Sequence, residues 1–236
     1  MRTKSPLLLA LLLAACATTT APTSTGVWTN RAPRFDNEVA AFATQDAAAM
    51  PPRCATLFVG SSSIRMWPDL ANAFAFPTIQ RGVGGSTIAE IDSYFDRIVA
   101  PYQPARIVFY AGDNDINDGK PPAAVLDDLK RFMALKRQSI GATPVYFVSA
   151  KPSPSRIADL PNQREFNKLA AAYAAHERDL EYVDVATPMM DGAAPRADLF
   201  GPDNLHMVQS GYDIWIKTIG AALSAPASTR NPNCPS

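Results

Sequence analysis

Short runs rich in β-forming residues alternate along this chain with longer segments of helical periodicity. The strand-like runs are residues 55–59, 78–80, 106–110, 145–149 and 182–185. Nearly continuous apolar strands separated by helices are typical of a parallel sheet that is covered on both faces, because each crossover places a helix on the sheet. The sequence therefore predicts a three-layer α/β/α fold around a five-stranded, mostly parallel sheet.

The predicted helices are marked by apolar residues three or four positions apart. One helix begins after Thr87, which together with Glu90 has the pattern of a capping box. A second follows Pro121 and Pro122, and the last follows Gly211. The apolar positions that define the four helices are Ile88, Ile91, Phe95, Ile98 and Val99; Leu126, Leu129 and Met133; Phe166, Leu169 and Tyr173; and Ile214, Trp215, Ile219, Ala222 and Leu223.

Composition excludes several classes of protein. Hydrophobic residues make up 47% of the 236 residues and charged residues 19%, which is enough apolar material for one globular domain. Lysine and arginine number 22, as do aspartate and glutamate, so the charge pattern argues against nucleic-acid binding. The chain has two histidines, His176 and His206, and a three-histidine metal site is therefore excluded.

The N-terminal segment has the pattern of an export signal. Arg2 and Lys4 precede an apolar run at residues 7–15, which is too short to span a bilayer. The run ends in Leu-Ala-Ala-Cys, which resembles a bacterial lipobox and implies lipidation of Cys16. An ordinary secretion signal with a chance cysteine is the alternative. The lipobox reading predicts an exported protein that is lipid-anchored to the bacterial cell envelope, on a periplasmic or outer-membrane face.

This pattern divides the chain into three parts. Residues 1–15 are the predicted lipoprotein signal peptide, and residues 16–30, rich in Thr, Ala, Ser and Pro, have the composition of a flexible tether. Residues 31–236 are the predicted folded domain. Its cysteines, Cys54 and Cys234, form an even pair in a chain sent to an oxidising compartment. The sequence is compatible both with a disulfide between them and with two unpaired thiols.

Two small-residue turns follow the first two predicted strands. Gly60-Ser61-Ser62-Ser63 presents hydroxyl groups where a parallel sheet binds ligands, although such a segment is also common as a plain turn or helix cap. It is not the Gly-x-Ser-x-Gly elbow, because Ile64 occupies the place of the second glycine. The second turn, at residues 82–86, lacks dinucleotide-binding spacing and predicts either an amide donor for an anion or a flexible turn.

Acidic residues crowd the segment after the third strand. An EF-hand loop that began at Asp113 would need Gly at position 118 and Glu at position 124, where the chain has Asp118 and Ala124. A weak calcium site of another type remains the alternative reading of this segment.

A carboxylate precedes an imidazole by three residues near the C-terminus. This spacing lets Asp203 accept a hydrogen bond from one ring nitrogen of His206 and leaves the other nitrogen for a substrate or a nucleophile. His176, in contrast, lies near a predicted helix end and is expected at the surface.

The joint order of these motifs resembles the SGNH (GDSL-like) hydrolase family, whose four blocks are named for Ser, Gly, Asn and His. The match runs from residue 57 to residue 212. It departs from the family at Ser61, where an aspartate usually precedes the nucleophile. The resemblance implies a flavodoxin-like sheet of the SGNH hydrolase type.

The resemblance also implies a serine esterase that needs no metal and no cofactor. Ser62 would be the nucleophile, His206 the base and Asp203 the residue that orients it, while Ser62, Gly85 and Asn114 would form the oxyanion hole. The implied substrate is a small-molecule or glycan ester, and a short acyl group is expected because the sequence has no extended apolar lid between the four blocks. A carbohydrate or peptidoglycan O-acetylesterase and a non-catalytic lipoprotein that binds an acylated ligand are the alternatives, and the oligomeric state is left open.

Overall fold

A five-stranded parallel sheet lies at the centre of the computed structural model, which describes residue 1 and residues 34–234. The strands are β1 (Thr56–Gly60), β2 (Thr78–Gly82), β3 (Arg106–Tyr110), β4 (Val145–Val148) and β5 (Leu180–Val183). They are ordered β2-β1-β3-β4-β5, and every neighbouring pair is parallel. This is the flavodoxin-like order that the family resemblance implies.

Eight α-helices surround or extend the sheet in the described part of the chain. They are α1 (Asp36–Ala48), α2 (Ser62–Arg65), α3 (Ile88–Ser93), α4 (Phe95–Ile98), α5 (Asp113–Asn117), α6 (Pro122–Ile140), α7 (Leu160–Ala174) and α8 (Gln209–Ser224). A small antiparallel pair, β6 (Met190–Asp191) and β7 (Ala194–Pro195), lies between β5 and α8.

Successive strand residues enter different cores because side chains alternate across a sheet. Leu57 and Phe109 belong to a cluster with residues of α1, α3, α4, α6 and α7. Phe58 and Val108 belong to a second cluster, which includes residues of α2 and α8. The three-layer arrangement is thereby confirmed.

Two helix boundaries differ from the sequence-based prediction. The single helix expected over residues 88–99 is divided into α3 and α4, because Tyr94 leaves helical geometry at φ −104° and ψ 7°. The last helix begins before Gly211 rather than after it. A Cβ at Gly211 would lie 2.9 Å from the Leu199 carbonyl oxygen, so this glycine allows close packing of the first turn of α8.

The strands and the first helix also differ in detail. β5 ends at Val183 and not at residue 185, and β1 lies one residue further along the chain than predicted.

The helix α1 was not predicted from the sequence. Its apolar residues do not form a continuous stripe, and Val39 is the one residue of α1 that is buried.

All but the first residue of the predicted signal peptide, Cys16 and the whole predicted tether fall at residues 2–33 and lie outside the described residues. Within residues 34–234, no helix is long and apolar enough to cross a bilayer.

The structure joins Cys54 and Cys234 in a disulfide, with their Cα atoms 5.5 Å apart. Cys54 precedes β1, and Asn231 near the other half-cystine donates a hydrogen bond to the Pro104 carbonyl oxygen just before β3. The C-terminal tail is therefore fixed at the amino edge of the sheet. The opposite edge, where β1 and β3 end at the point at which the strand order reverses, is where ligands bind in folds of this type.

Candidate active site

Ser62 begins helix α2 directly after strand β1, at the carboxyl edge of the sheet. The sharp exit from the strand depends on Gly60, whose φ is +145° and where a Cβ would lie 1.8 Å from the Tyr110 carbonyl oxygen. As the first residue of a helix, Ser62 has a backbone N–H with no acceptor inside that helix. Both its hydroxyl and its amide are therefore placed at the edge where ligands bind.

His206 connects Ser62 to Asp203. The Nε2 atom of His206 lies 3.0 Å from Ser62 Oγ, and its Nδ1 atom lies 2.5 Å from Asp203 Oδ2. The other carboxylate oxygen of Asp203 accepts from the backbone N–H groups of Leu205, at 3.0 Å, and His206, at 2.9 Å. The three side chains that the sequence singles out are thus brought together across 144 residues of chain.

These contacts determine which ring nitrogen of His206 carries a proton. An ionised carboxylate only accepts hydrogen bonds, so Nδ1 must donate to Asp203. Nε2 then has a free electron pair and can accept the Ser62 hydroxyl proton. The hydrogen bond from His206, and those from the two backbone amides, hold the pKa of Asp203 well below its usual range. The pair can therefore act as base and charged orienting group.

The neighbouring serines lie in different environments. Ser61 is fully buried, and its backbone N–H donates to the Tyr110 carbonyl oxygen at 2.9 Å. Ser63 is also buried, and its carbonyl oxygen accepts from the Tyr212 hydroxyl. Ser62 is half-buried and contacts His206. Geometry thus distinguishes Ser62 from both flanking serines.

Asn114 lies close to the turn that follows β2. Its side-chain Nδ2 donates to the Ser86 carbonyl oxygen at 2.9 Å, and its Oδ1 accepts from Arg156 at 2.8 Å. Gly85, the residue before Ser86, has a φ of +76°, which a residue with a side chain rarely adopts. Gly85 and Asn114, the second and third predicted oxyanion donors, are therefore neighbours in space.

The acidic segment after β3 makes ionic and hydrogen-bond contacts with protein groups. Asp113 accepts from Arg156, and Asp115 accepts from the backbone N–H of Ile88 at 3.1 Å. No three metal-ligating side chains cluster anywhere among the residues that the structure describes. His176, as expected, is exposed beyond the end of α7.

Two cations near the site were not found by sequence reasoning. Lys151 is fully buried, its Nζ donates to the Leu205 carbonyl oxygen at 2.8 Å, and burial lowers its pKa to about 8. Arg156 contacts Asp113 and Asn114. Both belong to the Lys-Pro-Ser-Pro-Ser-Arg segment after β4, whose basic residues were the only available signal.

Residues 56–214 match the sequence profile of the GDSL-like Lipase/Acylhydrolase family. The chain belongs to this family. It is an ester hydrolase of the GDSL type, as the sequence predicts. The family profile spans both the Ser62 turn and the Asp203–His206 pair. No curated protein sequence matches the chain.

Solved structures with the same fold include other hydrolases. A GDSL-like lipase from Bacteroides thetaiotaomicron VPI-5482 is 23% identical, with a TM-score of 0.67 over 78% of this chain and 96% of that protein. A carbohydrate esterase family 3 protein from Talaromyces cellulolyticus is 14% identical, with a TM-score of 0.59 over 72% and 96%. The lipase/acylhydrolase from Enterococcus faecalis is 16% identical, with a TM-score of 0.57 over 76% and 100%. At these identities the likeness shows a shared fold.

Proposed function

We propose that this GDSL-family chain hydrolyses short-acyl esters with Ser62 as nucleophile, His206 as general base and Asp203 as the residue that orients it. The observation that carries the proposal is the bridge that His206 forms, 3.0 Å from Ser62 Oγ on one side and 2.5 Å from Asp203 Oδ2 on the other. A serine hydroxyl is a weak nucleophile until such a base removes its proton.

The proposed reaction has two halves. Ser62 Oγ attacks the ester carbonyl carbon while its proton moves to His206 Nε2, and the collapse of the tetrahedral intermediate breaks the bond to the alcohol oxygen. His206 gives the proton to that oxygen, and the alcohol leaves. Water then attacks the acyl carbonyl carbon, and His206 Nε2 again accepts the proton. The second tetrahedral intermediate collapses by breaking the bond to Ser62 Oγ, His206 returns the proton to that oxygen, and the acid is released.

The negative oxygen of the tetrahedral intermediate would be bound by three donors. These are the backbone N–H groups of Ser62 and Gly85 and the side-chain amide of Asn114. A donor of this kind typically contributes about 10²–10³ in rate, because it acts where charge develops. The proposed reaction uses only these residues and water, with no metal or cofactor.

The preference for short acyl groups is supported by the small amount of exposed apolar surface. Within residues 34–234, four large apolar side chains are exposed, Met50, Met66, Ile157 and Val208. A long acyl chain needs a continuous apolar groove or flap. The four exposed side chains are widely separated along the chain and form no continuous apolar segment, which supports an acetyl to butyryl group.

A panel of chromogenic acyl esters from acetyl to octanoyl tests this proposal. Ser62→Ala should lose at least about 10³-fold in kcat, whereas the matched controls Ser61→Ala and Ser63→Ala should keep a functioning nucleophile. A fluorophosphonate should label Ser62. Normal turnover by Ser62→Ala would overturn the assignment, and a kcat/KM that rises towards octanoyl would overturn the short-acyl preference.

An acetylated glycan is the second candidate substrate. The fold neighbour from Talaromyces cellulolyticus is described as a carbohydrate esterase, which makes this class the natural extension of the ester panel. Release of acetate from an acetylated glycan by the wild type, and not by Ser62→Ala, would support it. The absence of acetate release alongside active cleavage of simple esters would favour a general esterase.

We also propose that the mature protein is lipid-anchored through Cys16 at the bacterial cell envelope. Support comes from the basic residues, the short apolar run and the Leu-Ala-Ala-Cys sequence. Two or more acyl chains are needed for stable anchoring. Expressed in a bacterium, the wild type should partition into detergent and Cys16→Ser should not. Equal membrane recovery of both would contradict anchoring through this cysteine.

A further inference from the structure

Arg156 links the segment after β4 to the predicted oxyanion hole. It lies in the 3₁₀ turn Pro154–Asp159, and its side chain is 13% exposed. One guanidinium nitrogen donates to Asp113 Oδ2 at 2.9 Å, and another donates to Asn114 Oδ1 at 2.8 Å. A single planar group thus contacts two side chains that are adjacent in sequence.

These contacts determine how the Asn114 amide is oriented. A guanidinium only donates hydrogen bonds, so the atom that faces Arg156 must be the amide oxygen. A carbonyl oxygen only accepts, so the atom that faces Ser86 must be the amide nitrogen. The amide nitrogen has two N–H groups, and Ser86 accepts from one. The same orientation directs the nitrogen, and not the oxygen, towards the Gly85–Ser86 turn.

We propose that Arg156 is a positioning residue for ester hydrolysis, acting through Asn114 to hold its amide with the N–H groups turned to the reacting carbonyl oxygen. This inference rests on the proposed role of Asn114 as an oxyanion donor. Without Arg156, the Ser86 carbonyl oxygen alone holds the orientation of the amide, so the orientation is less firmly fixed. An amide rotated by half a turn would present its oxygen, which would repel the negative intermediate.

Charge reinforces this geometry. A cation that donates to an amide oxygen polarises the amide and strengthens its N–H groups as donors. Asp113, whose side chain is 5% exposed, balances the charge of Arg156 and fixes its second nitrogen. A lysine has a single nitrogen on a flexible stem and does not reproduce this two-point contact.

The segment that carries Arg156 also contacts the loop of the proposed base. The backbone N–H of Ser155 donates to the Asn204 carbonyl oxygen at 3.0 Å, and Lys151 donates to the Leu205 carbonyl oxygen. The oxyanion donor and the Asp203–His206 pair are therefore held by one stretch of six residues. Within this stretch, the side chain of Arg156 contacts the side chain of Asn114, the proposed oxyanion donor.

A double-mutant cycle tests the proposal on the full chain with an acetyl ester. Arg156→Ala should lower kcat by about 10–100-fold with KM within about threefold, and Asn114→Ala should lower kcat by about 10²-fold. Because Arg156 acts only through Asn114, the double variant should be no slower than Asn114→Ala, within about threefold. Arg164→Ala, which removes an exposed arginine of α7, is the matched control and should keep wild-type kcat.

Rescue provides a second readout. Millimolar methylguanidinium should restore part of the lost kcat in Arg156→Ala and none in the double variant. Should Arg156→Ala fail to fold, Arg156→Lys keeps the charge and carries the same cycle, with a smaller loss of kcat that is again absent in the Asn114→Ala background.

The outcomes separate the two proposals. Losses that multiply in the double variant, a change in KM alone, or an unchanged kcat in Arg156→Ala would overturn the role of Arg156 while leaving the triad intact. Wild-type kcat in Ser62→Ala and Asn114→Ala would instead overturn the proposed function on which that role rests.

Discussion

Two aspartates of this fold respond to their surroundings in opposite directions. Asp203 is half exposed, and hydrogen bonds from His206 and Leu205 lower its pKa because they favour the charged form. Asp92 of α3 has a side chain that is 4% exposed, and burial raises its pKa to about 8. The cation of Arg131, 3.7 Å away, acts against burial without outweighing it. The negative charge of Asp203 is therefore available to His206, whereas ionisation of Asp92 lowers the free energy of unfolding.

The raised pKa of Asp92 predicts that stability falls as the pH rises. The unfolded chain releases the Asp92 proton near pH 4, while the folded chain retains it to about pH 8, so each pH unit between these values favours unfolding. Asp92→Asn removes this dependence. We expect its Tm to match the wild type at about pH 4 and to exceed it increasingly up to pH 8, by about 2–4 °C for each kcal/mol of difference in the free energy of unfolding.

Calorimetry or dye-based melting at half-unit pH steps measures this difference. Asp115, whose pKa burial raises to about 7, leaves a smaller slope of the same sign in the variant. Asp96→Asn, which removes an exposed carboxylate four residues away, is the control and should retain the wild-type pH dependence. Parallel Tm curves for the wild type and Asp92→Asn would contradict the prediction.

At the scale of elements, strands were predictable from sequence and helix boundaries less so. Strand β3 was placed at its observed ends, because Arg106–Tyr110 is a continuous run of β-forming residues between turn signals. The break between α3 and α4 at Tyr94 is not predicted by the sequence, because Thr87 and Glu90 mark only where a helix begins. Helix α1 is not predictable in this way because it depends on tertiary packing, with Val39 and Phe42 in the same apolar cluster as residues of α3 and α4, and not on a local pattern.

The candidate site was predictable for a related reason. Parallel strands end at one edge, so residues that follow β1, β2 and β3 must be neighbours even when they are far apart in sequence. The strand ends alone do not identify Arg156 as a residue of the site. Its contact with Asn114 spans 42 residues, and nothing local distinguishes it from Arg164, an exposed arginine. A side chain that acts through another residue leaves no spacing signal of its own.

Across the whole molecule, the disulfide and the candidate site lie at opposite edges of the sheet. Cys54 precedes β1, whereas Ser62 follows it, and five strand residues at about 3.3 Å each separate the two edges. The disulfide that stabilises the fold and the candidate active site thus lie at different places in the sheet. A constraint on the tail acts on the unfolded chain, while the hydrogen bonds of His206 belong to the proposed reaction.

This separation predicts that removing the disulfide weakens the fold without slowing the reaction. The bond links residues 180 positions apart, and closing so long a loop stabilises by up to about 5 kcal/mol in the chain-entropy model. The double variant Cys54→Ser/Cys234→Ser should melt about 5–15 °C below the wild type, with kcat at 25 °C within about twofold. A reductant should lower the Tm of the wild type to that of the variant and leave the variant unchanged, which separates the bond from the substitutions. Two alkylatable thiols in protein purified from an oxidising compartment would show that the disulfide does not form. A kcat that falls together with Tm would show that the two edges of the sheet are coupled. Either result would contradict this account.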